Sequence, residues 1–415
     1  MTTRAAGLPK EGARAALDSV AALLRNPTAL HPARVDSLAV GHPGVSLLFA
    51  TLAAGGQDEA RRIAHAHLAA AIRPPGGLRA SGLYAGAAAV AFAARLAATG
   101  PDAYRSLLDA VTPGVAEAAV SRARALRTGR ARGAGAPSHL YDVVAGVTGL
   151  TRLLLAVDPQ GPALRECLET LVDLTQPAAP TAHGALPGWW APDGPGPQGP
   201  NPAFPHGHLN LGLAHGIPGP LALLALAHEQ GVRVPGHDAA IERVAHWLTG
   251  WAYENAYGTY WPMSVRAEDE LSGERPPHPP TRAAWCYGTP GVARALFLAG
   301  RALGEERWQE LAAGSLRAAL ARPAHTWALE GTGLCHGTGG LLHIAARMAY
   351  DAGDGELAVQ LPLLAAQVAD GLGEAAQGAG FLEGQAGAAL ALHTYAQGGP
   401  SDPELLTWEA ALLLG

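Results

Sequence analysis

CHGTGGLLHIAARMAY, residues 335–350, is a Gly-x-x-Gly turn that runs into an apolar stretch, and the same pattern recurs along the whole chain. It starts at Gly41, Gly146, Gly216, Gly288, Gly337 and Gly384, with a degraded copy at Gly86 where Ala89 replaces the second glycine. The stretches behind the glycines, such as VSLLFATLAA, LTRLLLAV, PLALLALAHEQ and AALALHTYA, are rich in Ala and Leu and lack β-branched alternation, so they read as helices. DEARRIAHAHLAAAI, DAAIERVAHWLTGWAYENA, ERWQELAAGSLRAALA and ELAVQLPLLAAQVADGL stand between them as further helical stretches, which makes two helices per repeat. Successive starts lie 45 to 72 residues apart, longer than the roughly 34 to 47 of common helical solenoids, so loops are inserted.

Seven inner and seven outer helices closing on themselves predict an all-α fold, an α/α toroid formed by one domain over residues 1–415. A small elaboration is expected within residues 97–140. Closure follows from the repeat number and from the hydrophobic ends of the chain; the alternative, an open solenoid, carries polar caps. The glycines suit a chain that turns sharply into an inner helix near a crowded axis, through positive φ or close backbone approach. Helix N-termini around that axis favour anions such as thiolate or enolate. The Pro/Gly-rich segments from Pro177 to Pro205 and from Glu270 to Pro280 read as surface loops or flaps on the same face.

Register within the repeats singles out the candidate chemistry. Cys286 and Cys335 each lie two residues before the first glycine of adjacent repeats, so they converge near the axis, with His336 beside them. Two thiols and an imidazole supply the three protein ligands of a catalytic zinc site and leave a fourth position open. Buried structural thiols are the plainer alternative. His215 shares the register of Tyr287 and His336, one residue before its glycine, and is a candidate acid or base, with a satisfied core histidine as the plainer alternative. Asp142, four residues before Gly146, either caps a helix or takes part in the site. Arg282 reads as a mouth residue or a surface arginine, and Trp285 and Tyr287 as pocket wall or packing. Glu383 shares the inner register without an assigned role, and Cys167, in ALRECLETLV, reads as helix core.

Composition narrows the classes further. Hydrophobic residues make up 48% of the 415 and charged residues 15%, as expected of an ordered chain with much buried helix surface. The net charge of −6, with no Lys/Arg block, argues against nucleic-acid binding. No apolar run reaches the ~20 residues of a membrane span. The first residues, MTTRAAGLPKEGARAALDSV, do not read as a secretory signal, so a cytoplasmic location is expected. Three cysteines then suit metal binding or catalysis better than disulfides.

Taken together, YDVVAGVTG, LNLGLAHGIPGPL, WCYGTPGVARAL and CHGTGGL resemble the lanthipeptide cyclases of the LanC family over nearly the whole chain. The resemblance implies an α/α-barrel with one zinc ion per chain on Cys286, Cys335 and His336. It implies closure of lanthionine and methyllanthionine thioether rings, in which cysteine thiolates of a dehydrated precursor peptide add to dehydroalanine or dehydrobutyrine. His215 matches the proton-transferring histidine and Asp142 the motif aspartate, while Arg282 and Tyr287 match positions around the ring-forming pocket. The lost glycine at Ala89 is the visible departure. With no dehydratase or kinase-like extension in view, the chain resembles the stand-alone cyclase of a class I system. Its implied partners are a lanthipeptide dehydratase and a transporter, with peripheral attachment to the inner membrane through that complex. Alternatives are a LanC-like enzyme that adds glutathione or another thiol to dehydroamino acids in proteins, and a zinc-stabilised peptide-binding scaffold. Carbohydrate processing on such a toroid would need a carboxylate pair, where this register carries Cys and His.

Overall fold

The computed structural model describes residues 7–72, 77–100, 102–178, 184–196, 201–373, 378–400 and 406–415. In chain order its long helices are α1 (Lys10–Leu24), α2 (His42–Ala54), α3 (Asp58–Ala71), α4 (Ala87–Ala97), α5 (Arg105–Ala131), α6 (Val147–Val157) and α7 (Pro162–Leu174). They continue with α8 (Pro218–Glu229), α9 (His237–Gly250), α10 (Thr289–Leu303), α11 (Glu306–Ala321), α12 (Thr338–Ala352), α13 (Leu361–Asp370) and α14 (Gln385–Gln397). Each even-numbered helix follows a repeat glycine and packs against the next even-numbered one, and α14 packs back against α2 to close the ring. The molecule is an α/α toroid.

The division into inner and outer helices follows from which faces are apolar. Helix α8 buries every residue from Pro218 to His228, as a helix walled in on all sides must. Helix α1 buries only the stripe Ala13, Leu17, Val20 and Leu24 and lays it on α14. The outer partner of the last inner helix therefore comes from the start of the chain, a pairing the repeat pattern did not predict. Each large apolar side chain of that stripe contributes about 1.5–3 kcal/mol by its burial. The segment between Gly86 and Tyr141 holds one long outer helix, α5, packed on α4, α6 and α7. The stretch ELAVQLPLLAAQVADGL is broken: one turn, Gly355–Ala358, precedes α13, which restarts with Pro362 in its first turn, where a missing N–H costs nothing.

Backbone hydrogen bonds tie the segments before the inner helices around the axis. Val143 N donates to Ala214 O (3.0 Å), Ala214 N to Cys286 O (3.4 Å) and Cys286 N to Cys335 O (3.1 Å). Cys335 N then donates to Leu382 O (2.9 Å), Leu382 N to Ala39 O (3.0 Å) and Leu38 N to Tyr84 O (2.9 Å). Equivalent positions of successive repeats thus meet. The glycines permit this mainly through close approach: a Cβ on Gly149 would overlap the Val143 carbonyl, and one on Gly387 the Phe381 carbonyl. Gly288 adds a positive φ of 103°, a conformation that L side chains resist. In the degraded copy Ala89 is fully buried inside α4, so that repeat still forms its inner helix.

The hydrophobic C-terminal stretch lies on the axis of the ring. Trp408, Ala410, Ala411, Leu412, Leu413 and Leu414 are buried. Glu409 enters with them because its carboxylate is met on both oxygens, by Arg347 (2.9 Å) and by His343 (2.7 Å). Burial opposes its ionisation, but His343, Arg347 and Arg294 hold its pKa down at about 2. Arg294 donates to Leu414 O (2.8 Å) and pairs with Asp351 (2.7 Å).

The described parts of the first Pro/Gly-rich segment are pinned: Arg130 Nε donates to Gly188 O (3.2 Å) and Trp190 Nε1 to His206 O (2.9 Å). Residues 179–183 and 197–200 of that segment lie outside the described residues. In the second, Arg275 stacks over Trp251 and Tyr253 while Glu270 accepts from Trp247 and Trp251. Two short two-stranded ribbons complete the fold, β1 (His208–Asn210) with β4 (Ser264–Arg266) and β2 (Tyr253–Asn255) with β3 (Gly258–Tyr260). No described helix is long and apolar enough to cross a membrane.

Candidate metal centre and its surroundings

The segments entering α10 and α12 deliver the three donors. Cys286 Sγ, Cys335 Sγ and a ring nitrogen of His336 lie within 4.8 Å of one another, with Cys286 buried and the other two half-buried. The Cys286 N to Cys335 O bond holds the two segments side by side, so the pairing inferred from repeat register is present in the fold. The hydrogen bond from Cys335, aided by His336 and Arg282 against the effect of burial, lowers the pKa of Cys286. The same contact and burial raise that of Cys335. His336 is raised chiefly by its hydrogen bond to Cys286. A thiolate held between a thiol and an imidazole is a donor set that gains from a soft divalent cation.

Asp142 stands before α6 and serves two purposes. Its Oδ1 accepts from Ala145 N (2.7 Å) and Gly146 N (2.8 Å), which braces the turn ahead of the helix without capping it, and its Oδ2 meets His215 Nδ1 at 2.7 Å. Burial alone would lower the pKa of His215, but the Asp142 hydrogen bond and charge, with Cys286 nearby, raise it. With Nδ1 engaged by Asp142, Nε2 is the ring nitrogen that remains for another partner. The His215 and Tyr287 rings lie 6.3 Å apart, centroid to centroid.

Tyr287 is positioned by a residue that sequence reasoning passed over. Asn210, at the end of β1, donates from Nδ2 to Tyr287 Oη (3.0 Å) while its Oδ1 accepts from Gly212 N (2.8 Å). Burial raises the tyrosine pKa, so the hydroxyl keeps its proton and has it free to donate. The signal was present in LNLGLAHG: a polar side chain in an otherwise apolar run needs a partner. Arg282, half-buried, pairs with exposed Glu330 (3.0 Å), whose second oxygen lies 4.0 Å from His336 Nε2. Glu330 was also missed, since an exposed acid in ALEGTG carries no local signal. Glu383 is exposed near Cys335. Cys167 stays apart in the core of α7, its thiol pushed up to about 11 by burial.

Below the cluster the axial segment supplies a floor. Tyr84 Oη donates to Ala411 O (2.7 Å), and Trp285 Nε1, next to Cys286, donates to Leu412 O (2.9 Å).

Ring and cluster together define a toroid of helical hairpins with a thiolate-imidazole centre at the N-terminal ends of its inner helices. A family model described as "Lanthionine synthetase C-like protein" matches residues 32–413, and the chain belongs to that family. It is 28% identical over 281 residues to the nisin biosynthesis protein NisC of Lactococcus lactis subsp. lactis, an alignment that covers 66% of this chain and 64% of that protein. The solved structure of nisin cyclase superposes with a TM-score of 0.78 at 21% identity over 98% of this chain and 97% of that one, a likeness of fold.

Proposed function

We propose that the protein is a zinc-dependent cyclase that forms lanthionine and methyllanthionine rings by adding peptide cysteine thiols to dehydroalanine or dehydrobutyrine in a dehydrated precursor peptide. The observation that carries the reading is the gathering of Cys286, Cys335 and His336 within 4.8 Å beside the His215–Asp142 pair. Zinc on those three residues, with a fourth position left for the substrate sulfur, would supply thiol deprotonation at neutral pH.

This chain's own groups account for the proton. In the overall addition the S–H bond breaks, a sulfur–Cβ bond forms at the expense of the C=C π bond, and a proton arrives at Cα, so no oxidant or reductant is needed. His215, its Nδ1 held by Asp142 and its pKa raised, accepts the thiol proton or delivers the Cα proton from its free nitrogen. Tyr287, kept protonated and oriented by Asn210, donates to the carbonyl oxygen as enolate charge develops there. Arg282 adds positive charge at the same mouth, tethered by Glu330. The proposed partners are the dehydrated peptide, a dehydratase and a transporter.

The test is incubation of the zinc-loaded protein with a dehydrated, cysteine-containing precursor peptide, followed by thiol alkylation and mass spectrometry. Cyclisation leaves the peptide mass unchanged and removes one alkylatable thiol per ring. Thiol loss no faster than in an enzyme-free control would reject the reading; loss of dehydro residues only when glutathione is added would transfer it to intermolecular thiol addition.

A further inference from the structure

At the C-terminal ends of the inner helices, away from the thiolate cluster, a cavity of about 700 Å³ is lined by Arg95, Arg152 and Arg301, by Glu229, and by apolar groups including Leu155 and Leu226. Arg301 is already engaged with Glu229 and with Asp351 (3.1 Å). Arg152, on inner helix α6, is not. It is 3% exposed, its Nε is buried without a hydrogen-bond partner, and no carboxylate among the described residues lies within ion-pair distance of it. Glu409 is the acid it feels most, but both oxygens of that carboxylate are taken by Arg347 and His343. Arg95 lines the same cavity without an ion pair among the described residues.

A buried guanidinium remains charged even where burial pushes its pKa down to about 10, so the deficit at Arg152 is one of missing negative charge. Two arginines without carboxylate partners among the described residues line a space larger than a lone inorganic ion needs, walled partly by leucine and bordered by Gly415. We infer that this cavity is an anion-binding site, separate from the thiolate cluster, for a small molecule that carries a carboxylate or phosphate group. The planar, multi-donor guanidinium suits such oxyanions. This inference does not depend on the cyclase reading.

Isothermal titration calorimetry of the full-length protein with inorganic phosphate and, separately, with glutarate tests it, ionic strength being held constant with sodium chloride. Saturable binding near one anion per chain is expected for at least one probe, and which probe binds distinguishes a phosphate from a carboxylate ligand. Arg152→Met and Arg95→Gln should each weaken that binding roughly tenfold or more, with metal content unchanged. Should the first variant fail to fold, the second, at a half-buried position, carries the test. No saturable binding of either probe, or equal affinity in wild type and the folded variants, would overturn the site.

Discussion

The two ends of the polar column along the toroid axis differ in how their groups are satisfied. Deep in the ring, Glu409, Arg347, His343, Arg294 and Asp351 are buried and closed on one another, each carboxylate answered by cations or an imidazole. At the mouth, Cys335, His336, His215 and Tyr287 are half-buried, and among the described residues the thiols meet each other and one imidazole. A closed network spends its polar groups on holding the ring; an under-satisfied one retains donors for a substrate. One fold therefore keeps stability and chemistry in separate layers, joined by Tyr84 and Trp285, which hang the axial segment beneath the cluster.

The contrast is broken most severely if it is wrong at the mouth. Cys335→Ala should abolish zinc retention and slow ring closure by more than the ~10–100-fold typical of losing a residue that merely supports a metal ligand, while helical circular dichroism persists. His215→Ala should reduce kcat by ~10²–10⁴-fold with zinc content unchanged, as expected for removal of a general acid or base; a KM change alone would reassign it to binding. Deeper in the ring the expectation reverses. Glu409→Gln should cost about 3–5 kcal/mol of stability by removing the carboxylate that answers both Arg347 and His343 in a buried network, read in urea unfolding, and the folded fraction should still retain zinc.

Acid titration sharpens the same point. Glu409 has its folded pKa depressed from 4.5 to about 2, so its contribution is complete above 4.5 and is lost as pH falls from there toward 2, a loss of about 3 kcal/mol. His67 is depressed by burial from 6.5 to about 4, so the neutral ring is favoured in the fold and stability declines between those values. The Glu409→Gln variant should lose only the lower of the two windows. The smallest effect is reserved for Asn210→Ala, where freeing Tyr287 should lower kcat by roughly tenfold without altering zinc content or unfolding midpoint beyond a few degrees.

Much of this arrangement was legible because it obeys a repeat. The glycine register alone places Cys286 beside Cys335, and the backbone bond between them is the physical form of that register. The same register brought the His215 and Tyr287 rings within 6.3 Å of each other. Of the two readings of Asp142 the helix cap is not found: one oxygen braces the turn before α6 and the other holds His215. What escaped is non-local. The pairing of α1 with α14 joins opposite ends of the sequence, and an amphipathic stripe does not name its partner. The hydrophobic C-terminus correctly suggested a closed ring but for an incomplete reason, because it fills the axis rather than forming a seam. Asn210 and Glu330 act through neighbours supplied by other repeats, 77 and 48 residues away, and no local motif announces such contacts.

An open catalytic metal site, as proposed, sits in a ring that does not need the metal to stand. Elemental analysis of the purified protein, with circular dichroism before and after chelation, tests it most directly. Close to one zinc per chain is expected, lost on chelation along with ring-forming activity while most of the helical signal remains. A native protein that carries no metal under conditions excluding loss during purification, or one whose helices melt when zinc is removed, would contradict it.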